Sequence, residues 1–179
     1  MTHFDKKAVR QRVRAAIAAL ESTTKSEASA RIMEQIAALK PVCEAKVVAL
    51  FSSLADEPQT ATLIDHLRLA GVRIVMPRIE GSEMEFYDID EGLQLGSFGI
   101  LEPTTATPIT PQEIDAMVVP GVAFTREGAR CGRGKGFYDK YLSHNGFRAY
   151  TIGVCYACQI VDELPTEEHD KTINTVIYG

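Results

Sequence analysis

Residues 46–76, KVVALFSSLADEPQTATLIDHLRLAGVRIVM, decide the fold of this chain. The segment contains a short apolar run at 47–51, and residues 46–51 are predicted to form a buried strand. A helix is expected over residues 60–70, because Gly71 supplies a common C-terminal stop, and residues 72–76 form the next strand. Strands rich in β-branched residues that alternate with helices predict a mostly parallel sheet with helices on both faces.

The same alternation continues on both sides of this segment. Two helices are predicted before it, one over residues 5–20 and one that follows residues 22–24 and stops before Pro41. After it come strands at 84–89, 116–119, 150–154 and 172–177, and a helix at 137–142. We therefore predict a single three-layer α/β/α domain over residues 1–179. Its Rossmann-like sheet should carry the ligand site beyond the C-terminal ends of the strands.

Length and composition are typical of a soluble domain and exclude several other classes of protein. The chain has 179 residues, 45% hydrophobic and 24% charged, which excludes disorder as its main state. Its net charge of −5 argues against general nucleic-acid binding. Its apolar runs are far shorter than the roughly 18 residues that a membrane-spanning helix needs, and no apolar leader follows Met1. We expect a cytoplasmic monomer that binds neither nucleic acid nor membranes.

The four cysteines do not form the pattern of a disulfide framework. Cys155 and Cys158 make one C-x-x-C pair, with no second pair at metal-binding spacing. We expect buried thiols at the end of a strand. A metal or redox role is the less favoured alternative.

Basic residues concentrate in two short segments of an otherwise acidic chain. Residues 6–14 carry five basic residues and no acids, residues 126–136 have a net charge of +3, and the remainder is at −13. Lys6, Arg10 and Arg14 lie one position after the apolar stripe of their helix, and therefore beside its buried face. Two such patches suggest a compact anionic ligand, although a solvated face is the alternative for each.

The segment 120–139, PGVAFTREGARCGRGKGFYD, carries the clearest functional signal. It joins a predicted strand to a predicted helix and alternates glycines with basic residues: Gly132, Arg133, Gly134, Lys135 and Gly136. The glycines allow close approach of the backbone to a ligand, and helix-start amides favour an anion. This pattern predicts phosphate binding, with Asp139 placed to hold Mg²⁺, although the spacing is not that of a P-loop. The alternative is a flexible turn with an exposed Lys135–Asp139 ion pair.

These motifs resemble the 5-formyltetrahydrofolate cyclo-ligase family, also called 5,10-methenyltetrahydrofolate synthetases, over nearly the whole chain. The stretch 128–142 is the most specific, and weaker motifs follow the family's order at 6–10, 56–60, 98–103, 156–159 and 164–170. The resemblance implies a NagB/RpiA/CoA transferase-like fold. Cys131 departs from the pattern, because leucine is usual there, and the chain also differs after Asp170.

The resemblance implies roles for individual residues at the nucleotide. ATP would be bound by residues of the first helix and the glycine-rich loop: Lys6, Arg10, Arg130, Gly132, Arg133, Gly134, Lys135, Gly136, Phe137 and Tyr138. Arg133 and Lys135 would be catalytic, because they lie nearest to the moving charge, and Asp139 would bind Mg²⁺. His169 has either a role in orienting its loop or none.

The folate site is also implied by the resemblance. Glu57 would bind the pterin, for which a carboxylate is geometrically suited, or it is an exposed loop acid. Met84, Phe86 and Tyr87 would contribute to an apolar pocket, although ordinary strand alternation explains Met84 and Phe86 equally well. Tyr138 would form the wall between nucleotide and folate, or it is a core tyrosine.

The implied activity is the ATP- and Mg²⁺-dependent cyclisation of 5-formyltetrahydrofolate to 5,10-methenyltetrahydrofolate. ATP is needed because a formamide oxygen is a very poor leaving group until it is phosphorylated. An iminium phosphate would then form, and ADP and phosphate would be released. Two alternatives are a relative that acts on a different substrate, for example in cofactor repair, and a non-catalytic binding module. The intact Arg133, Lys135 and Asp139 count against the module, and Glu57 counts against the different substrate.

Overall fold

A six-stranded sheet forms the centre of the computed structural model, which describes residues 5–96 and 99–179. The strands are β1 Val47–Ala49, β2 Arg73–Glu80, β3 Glu83–Asp88, β4 Leu93–Leu95, β5 Leu101–Pro103, β6 Ala116–Pro120, β7 Ala123–Phe124, β8 Arg130–Cys131, β9 Tyr150–Cys155 and β10 Thr175–Tyr178. The central sheet has the order β10-β9-β6-β1-β2-β3, and every pairing in it is parallel except that of β2 with β3. This confirms the predicted mostly parallel sheet. Phe98, which begins the middle motif of the sequence, lies outside the described residues.

The strands β4 and β5 form a small antiparallel pair, as do β7 and β8. The first pair lies between the strands predicted at 84–89 and 116–119, where the sequence predicts no strand. Leu95 and Leu101 are exposed, so this pair lacks the buried apolar face that makes a strand visible in a sequence.

The helices of the described residues are α1 Lys6–Ala18, α2 Ser22–Ala37, α3 Lys40–Cys43, α4 Ala61–Leu69 and α5 Phe137–Leu142. The Asp5 carboxylate caps α1 by accepting a hydrogen bond from the Ala8 amide at 2.7 Å. The helix predicted to run up to Pro41 ends at Ala37 instead. Pro41 lies in the first turn of α3, where a proline costs no hydrogen bond. No helix within the described ranges is long and apolar enough to cross a membrane.

The sheet separates two core layers, because successive strand residues point to opposite faces. One face packs against α2 and α4 through buried residues that include Val48, Ile74, Val118, Ile32 and Leu63. The other face packs against α5 and the segment before β6 through residues that include Ala49, Val75, Met117, Ile114 and Tyr141. The three-layer arrangement is therefore confirmed, although the short α5 covers little of the second face.

The position of β1 creates a crevice at one end of the sheet. The chain leaves β1 through α4 to reach β2 on one side, and later returns to β6 on the other side. Segments that follow β1 and β6 therefore diverge, which is where open α/β sheets bind ligands. The helix α1 packs near this end, with Val9, Val13 and Ile17 in a third cluster against Val122 and Tyr156.

Candidate active site

A cavity of about 530 Å³ opens beyond the C-terminal ends of β1 and β6. Phe51, Ser52 and Leu54, which follow β1, form one side of it, and Pro120 and Gly121 at the end of β6 form another. This volume lies within the range of small-molecule sites. The cavity is where the sequence placed the ligand site.

The glycine-rich loop forms a wall of this cavity. Its backbone needs glycine at two points, because Gly134 and Gly136 have φ of 105° and 71°. The backbone amides of residues 133–136 donate no hydrogen bond to any described residue. Four free amides beside a cavity are a potential anion site. The helix α5 that follows has six residues, so its dipole adds little.

Cations surround the same wall. Arg10 of α1 donates from Nε to the Gly132 carbonyl at 2.8 Å, which ties α1 to the loop. Lys135 is exposed and forms no salt bridge with the residues that the structure describes. The alternative of an exposed Lys135–Asp139 ion pair is therefore wrong. The Asp139 carboxylate has a different partner.

That partner is Arg130, one of the residues predicted to bind ATP. Arg130 Nη2 lies 2.9 Å from Asp139 Oδ2, and the Arg130 side chain is only 3% exposed. Its Nη1 donates to the Pro120 carbonyl at 3.2 Å, and its guanidinium lies 5.5 Å from the Tyr138 ring centroid. Because a buried guanidinium is costly without a countercharge, Asp139 stabilises Arg130 in this state. Arg130 Nε remains without a partner among the described residues.

A second ion pair joins α1 to the segment before β10. Lys6 Nζ lies 2.6 Å from Asp170 Oδ2 and 3.5 Å from Glu167 Oε2. Burial alone would lower the pKa of Lys6, but Asp170 outweighs it and holds that pKa above its ordinary value. Burial likewise would raise the pKa of Asp170, and the Lys6 ammonium holds it below its ordinary value. Both residues stay charged at neutral pH.

Glu167 and Asp170 lie within the motif at 164–170 but had no predicted role. The structure brings them to the cavity together with His169, whose exposed Nε2 lies 3.1 Å from Glu167 Oε2. These three side chains could share a cation. Asp139 lies close by, because the Lys171 amide donates to its Oδ1 at 3.4 Å. Carboxylate oxygens beside a potential anion site fit Mg²⁺, which prefers hard oxygen ligands.

Glu57 and Arg133, predicted to bind different substrates, contact each other. Glu57 Oε1 accepts hydrogen bonds from Arg133 Nε at 3.2 Å and Nη2 at 3.0 Å, and its Oε2 accepts from the Leu54 amide at 3.0 Å. Arg133 Nη2 also lies 2.6 Å from Asp56 Oδ1. Glu57 is only 6% exposed, so the alternative of an exposed loop acid is wrong. Arg133 joins the glycine-rich wall to the Glu57 wall.

The remaining walls are largely apolar. Ile79, Met84, Ile100 and Phe137 line the cavity, and so does Tyr138. Burial and the Glu57 carboxylate raise the pKa of Tyr138, so its hydroxyl stays protonated.

Two side chains predicted for the folate pocket lie outside the cavity lining. Phe86 is buried on the same face of β3 as Met84, and its ring centroid lies 4.8 Å from that of Tyr141. Tyr87 points to the opposite face of β3, and the Arg78 guanidinium stacks on it at 3.9 Å. Strand alternation explains the position of Tyr87, while Phe86 packs against Tyr141 instead of lining the cavity.

The C-x-x-C pair does not contribute to the cavity. Cys155 is fully buried and Cys158 is partly buried. Burial raises the pKa of both thiols. No metal-binding cluster of the described residues includes a cysteine. This agrees with the prediction of buried thiols.

Comparison with known proteins gives one consistent result. The model of the 5-formyltetrahydrofolate cyclo-ligase family matches residues 2–179. The 5-formyltetrahydrofolate cyclo-ligase of Escherichia coli (strain K12) is 31% identical over 177 residues, which are 94% of this chain and 95% of the relative. The solution structure of 5,10-methenyltetrahydrofolate synthetase from Aquifex aeolicus superposes with a TM-score of 0.85 and 28% identity, covering 97% of this chain and 89% of that one. The Mycoplasma pneumoniae 5,10-methenyltetrahydrofolate synthetase gives 0.80 and 27%, covering 97% and 98%.

Proposed function

The chain belongs to the 5-formyltetrahydrofolate cyclo-ligase family, and we propose that it converts 5-formyltetrahydrofolate to 5,10-methenyltetrahydrofolate at the expense of MgATP. One observation carries the proposal. A single cavity is lined by free amides and cations, and also by a buried carboxylate and apolar side chains. Such a cavity suits two different substrates whose reacting ends must meet.

ATP would bind with its phosphates on the glycine-rich loop. The free amides of residues 133–136 would position the phosphate oxygens, while Lys6, Arg10 and Lys135 would neutralise their charge. Arg130 would act mainly by supporting this wall, because its guanidinium is buried against Asp139 and Pro120. Its predicted contact with the nucleotide is limited to the cavity-facing part of the side chain.

The folate would bind on the other side of Arg133. Glu57 is a buried carboxylate, and a carboxylate can accept two hydrogen bonds from the adjacent amino and ring N–H groups of a pterin. Met84 and Ile79 would pack against its rings, and Tyr138 would separate folate from nucleotide. Phe86 lies on the same face of β3 as Met84 and would pack beside it without touching the ligand.

The reaction would begin when the formyl oxygen attacks the γ-phosphorus and ADP leaves. The resulting iminium phosphate has an electrophilic carbon and a good leaving group. The second folate nitrogen then adds to that carbon, loses its proton, and expels phosphate to give the methenyl product. Arg133 and Lys135 would stabilise the negative charge that moves between ADP and the transferred group. The enzyme's main contribution is to hold the two reacting atoms in line.

Mg²⁺ would be held by Asp139 together with Asp170, whose carboxylates lie at the same wall of the cavity. Both carboxylates are paired with cations here, Asp139 with Arg130 and Asp170 with Lys6. The metal would supply charge neutralisation on the phosphates. The neighbouring Lys6 ammonium holds the pKa of Asp170 below its ordinary value and so keeps that carboxylate ionised.

The test is the appearance of 5,10-methenyltetrahydrofolate by absorbance when purified protein meets 5-formyltetrahydrofolate. We expect product with MgATP and none without ATP, and one phosphate released for each product. Product formation that does not depend on ATP would contradict the proposal. ATP hydrolysis that rises with a different one-carbon donor, but not with 5-formyltetrahydrofolate, would favour a relative with another substrate.

A further inference from the structure

A buried turn behind the cavity contacts both of its walls. The turn comprises Tyr156 and the 3-10 segment Ala157–Gln159 that follows β9. Neither Tyr156 nor Gln159 lines the large cavity, and both are about 1% exposed. Their side chains nevertheless form hydrogen bonds to segments that do line it.

Tyr156 reaches the wall that carries Glu57. Its hydroxyl donates to the backbone carbonyl of Glu57 at 2.9 Å across a buried contact. The Glu57 amide donates back to the Leu54 carbonyl at 3.1 Å, so the loop curls around the carboxylate. Burial raises the pKa of Tyr156, and the hydroxyl therefore remains a donor at neutral and mildly alkaline pH.

Gln159 fixes the turn to the opposite wall. Its Nε2 donates to the carbonyls of Gly121 and Val122 at 2.9 and 3.0 Å, and its Oε1 accepts from the Tyr156 amide at 2.7 Å. All three hydrogen bonds would be lost if the amide were rotated, so its orientation is determined. The turn is therefore a rigid base from which Tyr156 projects.

Ser29 of α2 also holds the Glu57 loop on this side, because its hydroxyl accepts a hydrogen bond from the Gln59 amide at 3.0 Å. A second cavity of about 410 Å³ lies beside these contacts, lined in part by Ala55, Gln59 and Tyr156. Hydrogen bonds therefore contribute to the loop position where a cavity replaces packed side chains. Of the two, the one from Tyr156 goes directly to Glu57.

We propose that Tyr156 is a positioning residue for the folate substrate, holding the Glu57 carboxylate at the depth where it meets the pterin. The inference rests on the proposed function, because it requires that Glu57 bind folate. Tyr156 touches neither substrate. Its effect is expected on folate binding, since its hydrogen bond goes to the Glu57 loop and not to the glycine-rich loop.

Tyr156→Phe is the direct test, because it removes the hydroxyl and keeps the ring. The Glu57 carbonyl also accepts from Gln59 Nε2 at 2.9 Å, so it keeps one partner and the variant is expected to fold. Loss of one such hydrogen bond should raise the KM for 5-formyltetrahydrofolate about threefold to tenfold. The KM for ATP should stay within about twofold of the wild type.

Tyr141→Phe is the matched control. Tyr141 is also a buried tyrosine, but its hydroxyl has no hydrogen-bond partner among the described residues, and it lies outside the cavity lining. Removal of that hydroxyl should leave both KM values unchanged. If Tyr156→Phe raises both KM values equally, or neither, the positioning role is wrong.

Hydrogen exchange in the ligand-free protein gives a readout that does not depend on activity. Tyr156→Phe should speed exchange at the Leu54 and Glu57 amides about threefold to tenfold, and Tyr141→Phe should not. Unchanged exchange at these amides would overturn the inference even if the protein is active. If the wild type does not cyclise 5-formyltetrahydrofolate, the proposed function is wrong. Faster exchange in Tyr156→Phe would still show that Tyr156 holds the Glu57 loop in position.

Discussion

Replacement of Glu57 by glutamine should weaken folate binding without weakening ATP binding. The substitution keeps the shape of the side chain but removes its charge and one of its two acceptor oxygens. In the structure Oε2 accepts from the Leu54 amide and Oε1 from Arg133, so both oxygens are in use. The amide oxygen of glutamine can keep the Leu54 contact, and the variant should therefore fold.

The expected increase in the KM for 5-formyltetrahydrofolate follows from the type of contact that is lost. A hydrogen bond to a charged group contributes about 1.5–3 kcal/mol, which corresponds to roughly 10- to 150-fold in binding. We expect Glu57→Gln to raise the KM for 5-formyltetrahydrofolate by that factor. The KM for ATP should stay level or fall, because Arg133 loses its buried partner and is freer to contact phosphate.

The assay is initial-rate kinetics with each substrate varied at saturating concentrations of the other. Asp56→Asn is the matched control, because Asp56 contacts the same Arg133 from a side chain that is 39% exposed. It should change the folate KM by less than about threefold, as expected for an exposed pair. Equal increases in both KM values for Glu57→Gln, or an equal effect of Asp56→Asn, would refute the assignment of Glu57 to the pterin.

Two further predictions concern ATP binding and acid stability. Lys135→Ala should raise the KM for ATP roughly tenfold or more. The melting temperature should stay unchanged, since Lys135 is exposed and unpaired in the described part of the chain. Wild-type kinetics would show that Lys135 does not belong to the ATP site. Burial would raise the pKa of Asp115, but hydrogen bonds from the Val47 and Lys46 amides and from Arg148 hold it below its ordinary value. Its contribution to stability is then present above about pH 4 and is lost as the pH falls through the depressed pKa. Urea unfolding of Asp115→Asn between pH 7 and pH 2.5 should therefore show a smaller loss of unfolding free energy in acid than the wild type, and an identical loss would contradict the shift.

The sequence predicted those features that local patterns determine. The βαβ pattern around residues 46–76 gave the parallel sheet, and glycine spacing located the loop at Gly134 and Gly136. The bounds of α1 differ from the predicted helix by one or two residues, since its apolar stripe is regular. In each case the interactions that determine the local structure join residues that are close together in the sequence.

Features that depend on distant pairing were missed. Lys6 pairs with Asp170, 164 residues away, and Arg133 pairs with Glu57, 76 residues away. No local pattern shows which carboxylate a given cation meets. Asp139 was predicted as a metal ligand without its contact to Arg130, because that contact requires α5 to fold back on β8. The role of Tyr156 is invisible in sequence for the same reason.

We propose that ATP phosphorylates the formyl oxygen inside the cavity, and transfer of an oxygen isotope is the decisive experiment. 5-Formyltetrahydrofolate labelled with ¹⁸O in its formyl group should be converted with MgATP, and the inorganic phosphate analysed by mass spectrometry. We expect one ¹⁸O atom in each phosphate released. Product formation with the label found in water, and unlabelled phosphate, would contradict it.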